Sequence, residues 1–517
     1  MAMIRRLLAF TLTLLSPALA LAQDAVAAAE PTRIQKLDAL FGQYVVGPMY
    51  QVLFFDLAFW DNGQTGELKI PMIVLWLVVG AVFFTIRFNF INLRGFAHAI
   101  QVTRGQYDHP SHEGEVSHFQ ALASALSATV GLGNIAGVAV AVHTGGPGAV
   151  FWMVIAGFLG MSSKFTECTL GQLYRETDAH GHLSGGPMRY LQTGLSELGM
   201  KGFGRVLAVG FAIMCIGGSF GGGNMFQANQ SYAQVKEVIP VFQGDMGSLV
   251  YGIILALMVG AVIIGGIKRI GVVAGYIVPT MCGVYLLAGV FIIVVNFDQI
   301  LPALSHIIGQ AFTPAAGFGG MIGVLMTGFQ RAAFSNEAGI GSASIAHSAA
   351  TTDEPVREGI VALLEPFIDT ILVCTMTGLV MVITDSYENS GEGVVMTSHA
   401  FATVLPWFPK VLTFAVFMFA FSTMISWSYY GERCFTFLFG PSTSLFYKII
   451  FLGFVILGSV LKLGSVLDFS DLMVLGMAFP NILGLYLLSG KVKRALDTYW
   501  VKLKSGEMKP FVAPPTE

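Results

Sequence analysis

From Pro71 onward the chain repeats one pattern: apolar windows of about 20 residues, the length a bilayer crossing requires, separated by short polar connections. They predict spans near 71–91, 118–143, 146–174, 206–233, 248–267, 271–296, 317–349, 359–384, 401–430, 446–461 and 466–489. Two of the eleven are interrupted. The second window holds Ala128 to Gly137, Ala-Thr-Val-Gly-Leu-Gly-Asn-Ile-Ala-Gly, and the seventh holds Phe334 to Ser342, Phe-Ser-Asn-Glu-Ala-Gly-Ile-Gly-Ser. Glycine in a membrane helix often serves close packing. A break there instead frees main-chain groups, which hydrocarbon tolerates only where they are buried in protein or line a cavity.

The position of the breaks favours the second meaning. If the first span is set apart as an accessory helix, ten remain, and each break opens one group of five. Five is odd, so equivalent helices of the two groups run in opposite directions. Paired Gly-interrupted segments at corresponding positions of two such halves point to a transporter's binding site. The third helix of each group adds a polar patch inside an apolar run, Gly221 to Gln230 in one and Ser422 to Tyr430 in the other. Amide and hydroxyl groups at that depth need partners, from a neighbouring helix or from a ligand.

Residues 1–22 read as a secretory leader: Arg5 and Arg6, an apolar run from Leu7, then Ala20-Leu21-Ala22 before Gln23. Residues 23–70 then form an extracytoplasmic segment, in which Tyr44 to Trp60, apolar but broken by Pro48 and Asp56, reads as an interfacial helix. The expected organisation continues with the accessory span at 71–91, five-helix repeats at 118–296 and 317–490, and a cytoplasmic tail at 491–517. With the mature N-terminus outside, nineteen Lys and Arg fall on the cytoplasmic side and six outside. Basic residues favour the cytoplasm, so the count supports the leader independently.

Composition fits this picture. The 517 residues are 54% hydrophobic and 11% charged, against about 25% charged in soluble domains. A net charge of −3 gives no bias toward nucleic acid. Cys168, Cys215, Cys282, Cys374 and Cys434 are scattered without metal-type spacing and read as buried thiols. His143, His347 and His399 are expected at interfaces, without acidic or Cys neighbours at ligand spacing. Lys164 and Glu167, one turn apart, are expected to pair locally. Arg331 and Glu337 flank the second break and either gate a pathway or pair with Glu365 or Asp369.

The run from Gly131 to Arg175 resembles the bacterial and archaeal alanine/glycine:cation symporters, also called sodium:alanine symporters. So do Gly223 to Asn229, Phe334 to His347, and Trp427 to Cys434; the likeness covers about residues 71 to 490. It implies an all-α polytopic membrane protein of the LeuT type, a 5+5 inverted repeat with one accessory helix, working by alternating access. It also implies a sodium ion held by the backbone carbonyls of Ser127 and Val130 and by Ser422 and Thr423, whose hydroxyls have the rival structural role of bonding back onto their own helix, with a second, weaker position at Thr129 and Asn134. Asn134 has a rival role as a helix cap.

The substrate expected from the resemblance is a small neutral amino acid, alanine or glycine, whose charged poles cannot be buried without partners. N–H groups near Gly131 to Gly133, at a helix N-terminus, suit the carboxylate. Carbonyls from Phe334 through Ser335 to Asn336, with Thr129, suit the ammonium. Gln227, both donor and acceptor, is expected to bridge to the substrate, and Phe334 and Trp427 to wall the side-chain compartment. The function expected is sodium-coupled import across the bacterial inner membrane, with no organic cofactor. A proton-coupled symporter and an amino-acid sensor are the alternatives; an enzyme is disfavoured, because no nucleophile–base pair appears on facing positions.

Overall fold

The computed structural model describes residues 47–58, 69–109, 111–177, 183–244, 246–312, 317–388 and 393–510. The leader expected at 1–22 and most of 23–70 lie outside them; of the interfacial helix expected over 44–60, the described part is Gly47–Leu53. The chain divides into units Met1–Pro48 and Met49–Glu517, and the site lies wholly in the second.

The principal helices are α1 (Met72–Arg87), α2 (His118–Thr129), α3 (Val138–Gly145), α4 (Gly148–Leu173), α5 (Lys201–Phe220), α6 (Phe226–Val238), α7 (Gly247–Ile263), α8 (Gly266–Val295), α9 (Ile300–Phe312) and α10 (Gly317–Asn336). After the second break follow α11 (Ala343–His347), α12 (Pro355–Val361), α13 (Thr375–Ile383), α14 (Phe408–Phe439), α15 (Ser444–Val460), α16 (Leu463–Gly476) and α17 (Ala478–Ser505). By length and apolarity, seven described helical stretches can cross a membrane, or eight if α2 and Gly133–Gly145, bent by 50°, count as one. Of the other expected spans, α1 and α7 are apolar but only 16 and 17 residues long, and the window at 317–349 is divided between α10 and α11. The chain is an all-α polytopic membrane protein. Helix α9 was not among the expected spans, and α17 runs on to Ser505, with Val492, Leu496 and Tyr499 buried.

Local chemistry accounts for the helix starts and bends. Ser117 opens α2 with a reciprocal cap: its Oγ accepts from Gln120 N–H at 3.2 Å, and Gln120 Oε1 accepts from Ser117 N–H at 3.1 Å. Wide turns that continue a helix with one extra residue per turn occur at Gly133–Gly137, Gly221–Met225 and Phe367–Cys374. Such turns mark functional positions in helices. These three converge on one centre, and a fourth, at Tyr190–Gly194, does not line it.

Burial sorts the helices into layers. Membrane-length windows in α4 and α14 are 67% and 78% buried, whereas those through α8 and α15 are 28% buried. The outer helices show apolar side chains outward, such as Leu257, Leu287 and Ile449, as a lipid-facing surface does. Inside, α4 packs along α10 and α12, and α14 crosses α2 and α5. Gly359 makes the contact between α4 and α12 possible: a Cβ there would overlap Thr169 Oγ1 and lie 2.8 Å from the Phe165 carbonyl oxygen.

Gly359→Leu should therefore force α4 and α12 apart, at a cost of about 1–3 kcal/mol or more, and lower the yield of monodisperse protein in size-exclusion chromatography. Gly283→Ala, where nothing lies within 4 Å of the added carbon, should elute as wild type.

Candidate functional site

The first interruption begins where α2 leaves helical geometry at Val130 (φ −74°, ψ 81°). Helix ends expose carbonyls on one side and N–H groups on the other, and side chains here meet some of them. Asn134 Oδ1 accepts from Gly131 N–H at 2.8 Å. Gln227 Oε1 accepts from Leu132 N–H at 3.0 Å, while Gln227 Nε2 donates to the Gly222 carbonyl at 2.9 Å.

The second interruption follows Asn336. Glu337, Gly339 and Gly341 take φ values of 56°, 90° and 96°, and at Glu337 that region costs a residue with a Cβ about 1–3 kcal/mol. Several bonds hold it there. Asn336 Oδ1 accepts from Ala338 N–H at 2.9 Å. The Glu337 carboxylate accepts from Trp427 Nε1–H at 2.9 Å and from the Ser342 hydroxyl.

One carboxylate ties the two interruptions together. Asp369, in the wide turn before α13, accepts from Asn134 Nδ2 at 2.6 Å, from Ser335 Oγ at 3.0 Å and from Thr370 Oγ1 at 2.7 Å. Asn336 reaches the same turn through Thr370 Oγ1 at 2.9 Å. The breaks are in contact: a Cβ on Gly133 would lie 3.3 Å from Ser335 Cα.

Between them is a narrow chamber with a free volume of about 10 Å³, room for roughly one water molecule. Thr129, Gly133, Gln227, Phe334, Thr423 and Trp427 line it, as do Ala128, Gly222, Glu337 and Val474. Five of the eight residues expected to bind substrate are therefore on one wall or another. Gly131 is adjacent, because a Cβ there would overlap Thr423 Oγ1 and lie 3.2 Å from Gln227 Oε1. The side chains of Ser335 and Asn336 turn away, onto Asp369 and Thr370. Phe334 packs edge-on to Phe226, with ring centroids 5.4 Å apart.

The oxygens expected around a cation are also close. Ser127 Oγ donates to the Ser422 carbonyl at 2.7 Å, while Ser422 Oγ donates back onto its own helix at the Phe419 carbonyl, 2.9 Å away, and lies 3.4 Å from the Ser127 carbonyl. Thr423 Oγ1 is buried without a hydrogen-bond partner, and such an orphaned oxygen beside Gly131 fits a cation ligand. Asn134, in the second expected position, spends its side chain on Gly131 N–H and on Asp369.

Three expectations about charged groups are corrected. Lys164 does not pair with Glu167; its Nζ is 2.8 Å from Glu365 Oε1, and Glu167 accepts from Asn481 at 3.0 Å. A fully buried ammonium needs an opposite charge with good geometry, and α4 presents it to the segment after α12. Arg331 pairs with Asp471, which also accepts from Gln330 at 2.9 Å, and with neither Glu365 nor Asp369. His347 is fully buried between Glu358 and Glu365, because the second break turns α11 inward. His143 and His399 are exposed, and all five cysteines are buried and free.

Sequence reasoning did not place Asp369 and Glu337 at the centre. Each is an acid inside an apolar window, and such residues are functional by default.

The model of the sodium:alanine symporter family matches residues 61–513. The chain is 42% identical over 426 residues to the sodium/alanine symporter AgcS of Methanococcus maripaludis, covering 81% of this chain and 92% of AgcS. It is 34% identical over 443 residues to a Bacillus subtilis protein named "Probable sodium/glutamine symporter GlnT", covering 84% of this chain and 89% of GlnT. Among solved structures, MhsT in complex with L-phenylalanine aligns with 73% of this chain and 99% of its own at 15% identity, with a TM-score of 0.47, too loose a likeness to build on.

Asp369→Leu should lower the thermal unfolding midpoint of the purified protein, since it strands one amide N–H and two hydroxyls at about 1–3 kcal/mol each. Asp369→Asn, which keeps an acceptor oxygen, should retain most of the stability. Equal midpoints for the leucine variant and wild type would show that the breaks are held by something else.

Proposed function

The chain belongs to the sodium:alanine symporter family, whose members are secondary transporters moving amino acids with a cation, and from that premise we propose that it imports a small neutral amino acid, alanine or glycine, with sodium. We place it in a bacterial inner membrane, with the leader cleaved, the mature N-terminus outside and the C-terminus in the cytoplasm. The architecture proposed is the eleven-span 5+5 inverted repeat with α1 as accessory helix. The observation that carries the reading is the pair of broken helices meeting at one buried chamber.

In that chamber the zwitterion's two poles find opposite walls. The carboxylate takes the N–H groups that follow the first break, where a helix N-terminus carries partial positive charge. Leu132 N–H, which Gln227 now engages, is one of them, and Gln227 is free to turn its amide to the substrate. The ammonium takes the carbonyl end of α10 near Phe334, Ser335 and Asn336, with Thr129 and the Glu337 carboxylate beside it. Phe334 and Trp427 wall the side-chain end of the chamber, and two aromatic rings there favour alanine or glycine over a bulky amino acid.

Sodium, a co-substrate rather than a resident cofactor, is proposed to sit among the carbonyls of Ser127 and Val130 and the oxygens of Ser422 and Thr423. There it neutralises the carbonyl end of α2, the same helix end whose far side receives the carboxylate. Sodium and amino acid thus each improve the other's affinity. A membrane potential adds about 2.3 kcal/mol per charge per 100 mV to inward movement.

Uptake into proteoliposomes of a small amino-acid panel, with sodium, lithium or proton gradients imposed separately, tests the reading. Saturable binding without uptake or counterflow would reject transport in favour of a sensor. Gln227→Leu should abolish substrate-dependent sodium uptake while elution stays normal, and unchanged alanine affinity would remove Gln227 from the site. Thr423→Val should raise the sodium concentration for half-maximal uptake about tenfold, the equivalent of ~1.4 kcal/mol; unaltered sodium dependence would put the ion elsewhere.

A further inference from the structure

Behind the second break runs a string of buried ionisable side chains that does not line the chamber. His118 Nδ1 meets one oxygen of Glu358, and the other oxygen lies 2.5 Å from His347 Nδ1. His347 Nε2 faces Glu365 Oε2 at 3.6 Å, and Glu365 Oε1 holds Lys164 Nζ at 2.8 Å. All five side chains are fully buried. The string opens to water at one end, where His118 Nε2 lies 3.8 Å from Asp108 Oδ1 on a side chain that is 43% exposed.

Both gaps in the string are bounded by unpartnered atoms. His118 Nε2 and Asp108 Oδ1 make no hydrogen bond, nor do His347 Nε2 and Glu365 Oε2. Each imidazole therefore stands between two carboxylates, bonded to one and just short of the other. An imidazolium has two N–H donors and a neutral imidazole one, so whichever ring carries the charge can close its own gap.

We propose that this string is a proton-binding site: it holds an exchangeable proton on His118 or His347, drawn from the aqueous side at Asp108. Charge count supports it. Lys164 and the two glutamates sum to one negative charge, so a single imidazolium leaves the bonded string neutral, the arrangement a buried cluster favours. Other ionisable groups face it. His112 flanks His118, Arg175 approaches Glu358, Cys168 and Glu167 neighbour Lys164 and Glu365 on α4, and Glu337 and Asp369 lie toward the breaks. The three acids among them are held by neutral donors: Asn481 on Glu167, Trp427 and Ser342 on Glu337, and Asn134, Ser335 and Thr370 on Asp369.

Transfer along the string balances. With neutral His347 in its Nε2–H tautomer and Nδ1 bare, the proton leaves His118 Nδ1 for Glu358, the carboxyl group turns about its Cγ–Cδ bond, and the proton passes to His347 Nδ1. His118 ends neutral and His347 ends as the imidazolium, with no other group changed. His347 can then draw Glu365 across the 3.6 Å gap, and Glu365 holds Lys164. Lys164 lies one turn from Gly160 on α4, where a Cβ would stand 2.7 Å from the Cβ of Ala338 in the second break. Proton occupancy is thereby connected to the break that forms the ammonium end of the chamber, a consequence that rests on the transport reading.

Two arms test this on the full-length protein in lipid. The first is solid-state NMR with nitrogen-labelled histidine from about pH 5 to 9, the range in which imidazoles titrate. His118→Gln and His347→Gln assign the two signals among the ten histidines. The expected result is a change of one charge across the pair, with His118→Gln moving it onto His347. Both rings holding one unchanging state throughout would overturn the proton site, whatever transport shows.

The second arm is initial L-alanine uptake against pH at fixed sodium. One limb should change about tenfold per pH unit and flatten in His347→Gln. Asp108→Asn, at the exposed mouth, should elute as wild type and displace that limb. A flat wild-type profile beside titrating rings would overturn the link to the break. Absence of alanine uptake at every pH would sink the transport reading alone, because the NMR arm decides the proton site by itself.

Discussion

A helix cannot be opened at bilayer depth unless its main-chain poles are met from elsewhere, and here both openings depend on the carboxylate of Asp369. Through Asn134 it reaches the side chain that caps Gly131, and through Ser335 it reaches the last turn of α10. Its donors are neutral, so the tie holds by hydrogen bonds whose loss would leave several buried groups unmet at about 1–3 kcal/mol each. Fixing both breaks to one side chain sets the distance between them. The chamber is the space left over.

Glycine decides how closely the third wall approaches. At Gly131 a side chain would occupy the position of Thr423 Oγ1, and at Gly223 it would overlap the Trp427 ring. With those carbons missing, α14 brings Thr423 against the first break and Trp427 against the turn at Gly221–Met225, and Ser127 and Ser422 interlock across the junction of α2 and α14. The proposed sodium position and the proposed substrate position therefore share α2 and α14. Any change that separates the two helices weakens both, and this is the physical content of coupling.

The parts legible in the sequence were those written in local spacing. Glycines two residues apart in an apolar window announced the breaks at Gly131 and Gly339, and the polar patches at 221–230 and 422–430 announced the residues that meet them. Partnerships between distant segments were not legible. Lys164 has Glu167 one turn away, and its actual partner, Glu365, lies about two hundred residues on. Nothing in local spacing ranks a neighbour on the same helix against a charge delivered by packing: Glu167 and Glu365 are both fully buried, and only the tertiary fold brings Glu365 to 2.8 Å from the ammonium. The same reason hid His347, whose position near a helix end suggested an interface until the break carried it inward. Span boundaries were least secure where an apolar helix is short, as at α1 and α7, or divided, as at α10 and α11.

The wall of the chamber contains its own pair of stand-ins for the proposed substrate. Gln227 offers Leu132 N–H an oxygen at 3.0 Å, as a carboxylate would, and Trp427 offers Glu337 an N–H at 2.9 Å, as an ammonium would. A zwitterion that takes both places replaces the neutral amide bond at Leu132 N–H with a charge-assisted one, roughly twice as strong, and gives the Glu337 carboxylate a cationic donor. The exchange frees the Gln227 amide to turn to the substrate, while Trp427 Nε1–H gives up its acceptor. Trp427 must move aside to allow it, since a free volume of about 10 Å³ does not admit an amino acid. The movement that makes room thus also releases α14 from the second break, so the proposed binding step is itself a rearrangement of the helices that would carry the substrate across.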